Sequence, residues 1–228
     1  IRNQILSIIN KNNIKVLIFG SYIHRKSFKK NIGIKLHLTP KYNVNNLFYL
    51  IYNFLKLSII YPKRFIRIIF YMKNLSSLNF KDKLFRINRV IPLIVNLPDI
   101  LHLQWAKSIG SWIFLKNEFD VNIVLSLRGT HINCSPLNDK ALVTLYEKTF
   151  PIIDRFHAVS RSIGKEVLKY GVNKDKIDVI FSPINFKNIH IKKENWDLQK
   201  TIQVLSVGRN NWVKGYHIAL SAVKKLHD

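Results

Sequence analysis

Apolar and polar positions along the chain follow two rhythms. Apolar runs of strand length occupy 15–19, 99–103, 121–127, 156–159, 177–181 and 202–207. Short runs of this kind, bounded by turn residues, suit strands buried in a sheet. Between them, apolar residues return every three or four positions, as on one face of a helix. That spacing predicts helices over 2–12 (Ile5, Leu6, Ile8, Ile9), 109–119, 139–149, 160–170 and from 216 onward (Ile218, Leu220, Ala222, Val223, Leu226). Ser160 can cap the helix that follows it, and Gly171 can close that helix in a left-handed conformation. Strands alternating with helices imply parallel βαβ units in a doubly wound sheet, where ligands sit beyond the carboxyl ends of the strands. The loops after Leu103, Leu127, Val159, Phe181 and Val207 are therefore where chemistry is to be sought. The polar run 192–200 reads as a linker. It would separate a domain over 1–191 from the opening of another over 201–228.

Residues 47–73 depart from this pattern. They are apolar and aromatic almost throughout and are divided by Pro62, which predicts two helices. Asn53, Lys56 and Pro62 interrupt the run of about 20 apolar residues that a membrane span needs. Two readings stay open. The helices form a pair turned toward a core, or they lie on anionic lipid, because cations alternate with bulky apolar side chains over 63–73.

Composition narrows the class. With 47% hydrophobic residues in 228, the chain can bury a real core, and global disorder is excluded. Its one cysteine, Cys134, excludes a disulfide framework and fits a reduced, cytoplasmic setting, with a peripheral place on the inner face of the cell membrane if 47–73 meets lipid. The chain starts at Ile1 without a signal-peptide pattern, from which a missing N-terminus is expected. The net charge of +24 is uneven: residues 1–98 hold 18 Lys and Arg against the single acid Asp82. An anionic partner is one explanation; the abundance of Lys, Ile and Asn along the whole chain, as an AT-rich genome produces, is the other. A basic nucleic-acid-binding or membrane-binding module without catalysis is an alternative, but no nucleic-acid motif accompanies the charge and no nucleic-acid partner is expected.

The segment SVGRNNWVKGY, residues 206–216, carries the clearest chemistry. A strand that turns at Gly208 and leads through Gly215 into a helix presents free backbone N–H groups and a positive dipole end. Arg209 and Lys214 on that loop suit a diphosphate. Four other segments stand upstream in order: DILHLQW, VLSLRGTHIN, the run RFHAVSRSIGKEVLKYGVNKDKIDVIFSPIN, and IRNQILSIINKNNIKVLIF at the start. Together they resemble retaining GT-B glycosyltransferases of the family-four type, in the branch that builds capsules and exopolysaccharides.

The resemblance implies an α/β fold of GT-B type: one nearly complete Rossmann-like domain and the first βα unit of a second, with the chain cut short at both ends. It implies sugar transfer from a nucleotide sugar to a saccharide acceptor, lipid-linked in many such enzymes, with no metal or other cofactor. In that family the cations of the GR…KG loop bind the donor diphosphate, which here means Gly208, Arg209, Lys214 and Gly215. The acceptor-facing loop would be Arg128, Gly129, Thr130 and His131, where much of the family has His-Gly-x-Asp. Arg128 cannot serve as a base, because guanidinium stays protonated; it could hold an anionic acceptor or sugar phosphate. No catalytic residue can be assigned, since the paired glutamates of the family would lie past Asp228, and the segment alone is expected to be inactive. A sugar-nucleotide epimerase of the same fold is a further alternative. Elsewhere, His102 reads as a satisfied core residue, the histidines show no metal-ligand spacing, and Cys134 lacks a third group to make it a nucleophile with His131.

Overall fold

In the computed structural model the described residues are 15–20, 34–38, 44–73, 79–182 and 203–227. The chain divides into two compact units, 1–182 and 183–228. In the first, strands β1 (Val16–Gly20) and β2 (Ile34–Leu38) pair in parallel. Three helices follow: α1 (Val44–Ile60), α2 (Pro62–Lys73) and α3 (Phe80–Val95). Then come β3 (Ile100–Leu103), α4 (Ile109–Trp112), α5 (Phe114–Phe119), β4 (Asn122–Leu127), α6 (Lys140–Thr149), β5 (Arg155–Ala158), α7 (Arg161–Val167) and β6 (Ile177–Val179). The second unit holds α8 (Tyr216–His227).

Strands β3 to β6 form one parallel sheet in the order β3-β4-β5-β6. The register places Leu103 beside Leu125, and Leu125 beside Phe156. Because side chains alternate across a strand, this puts Leu103, Ile123, Leu125, Leu127, Phe156 and Ala158 on one face, where all are buried. They meet Ile109 of α4, Leu142 and Tyr146 of α6, Phe150, and Ile163 and Val167 of α7. Beside Ile100 and Val124, the other face carries the polar side chains of His102, Asn122, Ser126, Arg155, His157 and Asp178. Most of these are exposed or half-exposed, whereas doubly wound packing would cover both faces with apolar contact. The difference is chemical: these side chains offer hydrogen bonds rather than a seat for a helix.

A second core joins Leu50 and Leu57 of α1, Ile68 and Tyr71 of α2, Ile91 and Ile94 of α3, and Phe114, Leu115 and Phe119 of α5. Arg64 donates to the carbonyl of Ile94, and Arg86 Nε to Tyr71 Oη at 2.6 Å, so the cations of this basic region also tie its helices together. Asp154 fastens the entry to the sheet. It accepts from Lys116 Nζ at 2.6 Å and from the Ile123 N–H at 2.7 Å. Burial pushes its pKa up, but these two bonds and the nearby cations outweigh that and hold the carboxyl below its ordinary value.

Caps form where the side chains predict them. Ser160 accepts from the Ile163 N–H, and Gly171 closes the helical turn Leu168–Tyr170 at φ 74°. Pro62 separates α1 from α2 as expected. Three expectations need correction. Residues 203–207 form no strand, and Val204, Leu205 and Val207 are exposed. The stretch 109–119 is two short helices with a break at Ile113. Lys15 is exposed and Val16 to Phe19 only half-buried, so the first strand is less enclosed than its apolar run implies. The helix expected over 2–12 and the linker over 192–200 lie outside the described residues.

Candidate functional site

Parallel strands end on one edge, and the residues just past β3 and β4 meet there. Gln104 and Trp105 follow β3; Arg128 follows β4. The loop expected after Arg128 is wound instead into a π-helical turn, Thr130–Cys134, continued by a 3-10 turn, Ser135–Leu137. Wide turns of this kind re-aim side chains and are frequent at functional sites. Ile132 anchors the turn in the core, and Tyr146 Oη donates to the carbonyl of His131 at 3.2 Å.

That anchoring sets three groups together. The His131 ring lies 4.9 Å from that of Trp105, tilted by 40°. The guanidinium carbon of Arg128 sits 5.7 Å from the same indole, and Arg128 Nη2 donates to Gln104 Oε1 at 3.4 Å. Arg128 Nε and His131 Nδ1 are buried with no protein partner; among the described residues only Asn88 Oδ1 shares that condition. Neither Arg128 nor Lys107 enters an ion pair among the described residues. A buried donor without an acceptor costs about 1–3 kcal/mol, so the cluster is built at some expense to stability. It favours a ligand that brings negative charge and acceptor atoms. Thr130 is exposed. Gly129 has helical angles (φ −36°, ψ −66°), and a side chain there would meet nothing within 4 Å, so its role is not one of space.

Behind the cluster, a line of hydrogen bonds crosses the polar face of the sheet. His102 Nε2 lies 2.8 Å from Ser126 Oγ, Ser126 Oγ 2.9 Å from His157 Nδ1, and His157 Nε2 3.0 Å from the carbonyl of Ile180. The carbonyl only accepts, so His157 Nε2 carries a proton. When its Nδ1 accepts the hydroxyl proton of Ser126, His102 Nε2 must donate to Ser126. Gln104 cannot also donate to that nitrogen, so its approach at 3.4 Å is a contact only. His102 is thus hydrogen-bonded, as expected, but on the open face of the sheet and not in the core. Ser126, buried between two histidines, was missed; its signal was a lone hydroxyl within the apolar run 123–127.

Burial lowers the pKa of His102, helped by His157 and Arg128. Burial also lowers that of His131, helped by Lys107. Both rings stay neutral at a pH where the unfolded chain has begun to protonate. The unfolded state then binds more protons, and stability falls as pH drops through the ordinary histidine value of about 6.5. The denaturation midpoint is expected to be lower at pH 5.5 than at pH 7.5, and replacing both histidines by glutamine should flatten that dependence. Asp154 acts in the same direction only near and below its ordinary carboxylate range, outside this window.

In the second unit, Asn211 Oδ1 accepts from the Val213 N–H at 3.2 Å and caps the 3-10 turn Trp212–Lys214. Gly215 closes the turn at φ 66° and leads into α8, as its position in the sequence predicts. At Gly208 a Cβ would lie 2.6 Å from Tyr216 Oη and 3.7 Å from Lys214 Cδ, so a side chain there would displace the end of Tyr216, and Lys214 is its neighbour. Arg209 and Lys214 are both exposed. Among the described residues, no group of three or more His, Cys, Asp or Glu is placed to hold a metal ion.

The model of the family described as Glycosyltransferase Family 4 matches residues 42–187, more than half of the chain. The match takes in β3 to β6 and the Arg128–His131 segment, and stops before Gly208. No curated protein matches the chain. No solved structure matches it either.

Proposed function

The chain belongs to glycosyltransferase family 4, and from that premise we propose that it moves a hexose from a nucleotide sugar to a saccharide acceptor with retention of configuration. The observation that carries this reading is the family match across the parallel sheet, supported by the unpaired cations at its carboxyl edge. In this reading the protein is of GT-B type: 1–191 is the acceptor-side domain, 192–200 a linker, and 201–228 the opening of the donor domain. Arg209 and Lys214, with the backbone at Gly208 and Gly215, hold the donor diphosphate and offset the charge that grows on it as the bond to the sugar breaks. No metal or other cofactor is required for that role. Arg128, with Gly129, Thr130 and His131, faces the acceptor and engages an anionic group on it. The acceptor is a lipid-linked saccharide of capsule or exopolysaccharide assembly in a bacterium, met at the cytoplasmic face of the membrane.

The test is transfer by the intact protein with a panel of nucleotide sugars and lipid-linked acceptors, reading the product's anomer by NMR. Arg128→Ala should lower kcat/KM for the acceptor by about 10- to 100-fold, since a hydrogen bond to a charged group contributes about 1.5–3 kcal/mol. Its melting temperature should hold or rise, because an unsatisfied buried donor is removed. Absence of transfer with every donor, or an unchanged Arg128→Ala enzyme, would sink the reading.

A further inference from the structure

Among the described residues, the outer side of α1 and α2 is exposed. On α1, Phe48, Ile51, Tyr52, Leu55 and Ile59 recur at three- and four-residue steps, so they form one stripe. All are exposed, Phe48 by 70% and Ile59 by 78%. The opposite stripe, Leu50, Asn53 and Leu57, is buried. This helix is therefore apolar on the side that faces water as well as on the side that faces the core. On α2, Lys63, Ile66, Arg67, Phe70 and Lys73 are exposed at the same kind of spacing. Lys73 Nζ lies 5.7 Å from the Phe70 ring. Residues 44–73 carry five cations and no carboxylate.

We infer that this ridge is a docking surface for anionic phospholipid. Exposed apolar area of this extent marks an interaction site, and the charge selects the occupant. A second copy would set one strongly basic ridge against another. A lipid surface accepts the aromatic and aliphatic side chains of the α1 stripe at its acyl boundary and offers phosphates to the flanking lysines. No helix among the described residues is long and apolar enough to cross a membrane, so α1 lies along the surface. Docking needs no sugar, and it stands or falls separately from the transferase reading.

The test is sedimentation of the chain with phosphatidylcholine vesicles, with and without phosphatidylserine, at low and high salt. The wild type should bind the serine-containing vesicles at low salt and bind less at high salt. Two variants separate the contributions: F48E/L55E/I59E on the apolar stripe and K63E/K73E on the cations. Each should weaken binding at least about tenfold. All of these side chains are exposed, and circular dichroism should show both variants folded. A wild type that stays in the supernatant overturns the inference. So does an apolar-stripe variant that binds like wild type, which would mean adsorption of a basic chain to any anionic surface. A dimer split by F48E/L55E/I59E with vesicle binding intact would make the ridge a seam between copies, and would overturn it equally.

Discussion

Replacing both Arg209 and Lys214 by alanine in the intact enzyme is expected to lower kcat/KM for the nucleotide sugar about 1,000-fold, a loss of about 4 kcal/mol in transition-state stabilisation. Each cation would contribute about 1.5–3 kcal/mol through charge-assisted bonds to the diphosphate. The negative charge on those oxygens increases as the glycosidic bond to the donor breaks, so kcat should fall along with kcat/KM. Both side chains are exposed, and neither enters an ion pair among the described residues. The melting temperature should therefore stay where it is. Steady-state kinetics over a range of donor concentrations measure the effect; a loss under tenfold would mean that these are ordinary solvated cations.

The second large effect concerns folding. Phe150 is fully buried at the centre of an aromatic group. Its ring stacks on Tyr146 at 4.4 Å and meets Phe156 and Tyr170 at 5.4 Å each. Phe150→Ala removes those contacts and leaves a cavity that rigid strands on one side cannot collapse into. The expected cost is about 3–5 kcal/mol, against a total of about 5–15 kcal/mol for a typical domain. Urea denaturation should show the midpoint shifted far down or the protein already unfolded. A change under about 1 kcal/mol would mean that this aromatic group does not hold the sheet to α6 and to the turn at Tyr170.

Much of the first unit was legible because local and global signals agree there. Strands of the main sheet are apolar on alternate positions, Ser160 and Asp139 cap the helices they precede, and Gly171 has the freedom that its positive φ demands. Other elements were legible in principle but not read. Ile34, Leu36 and Leu38 alternate with Lys35 and His37, the signature of β2. Asn79 accepts from the Asp82 N–H to start α3, and Pro92 lies inside that helix. That proline lies in the last turn, where its carbonyl still accepts from the Asn96 side chain at 2.9 Å. The run 202–207 misled in the other direction. Its composition is that of a strand, yet a strand exists only beside another, and pairing is not a local property.

The site divides in the same way. Arg128 and His131 stood out by residue type and by their place after a strand. Trp105, Gln104 and Ser126 did not, because what sets them in the cluster is the register of β3 against β4 and β5. A sequence shows a residue's chemistry; which neighbours share its face depends on pairings made across tens of residues.

Leu101 and Trp112 each touch both hydrophobic cores of the first unit. A side chain lodged in two cores couples their fates. If the helical core opens, the sheet core loses part of its wall, and the reverse holds as well. The helices that carry the exposed ridge are thus not an appendage that can melt by itself. Whatever stabilises them by binding also stabilises the sheet and the cluster at its edge, through two shared residues.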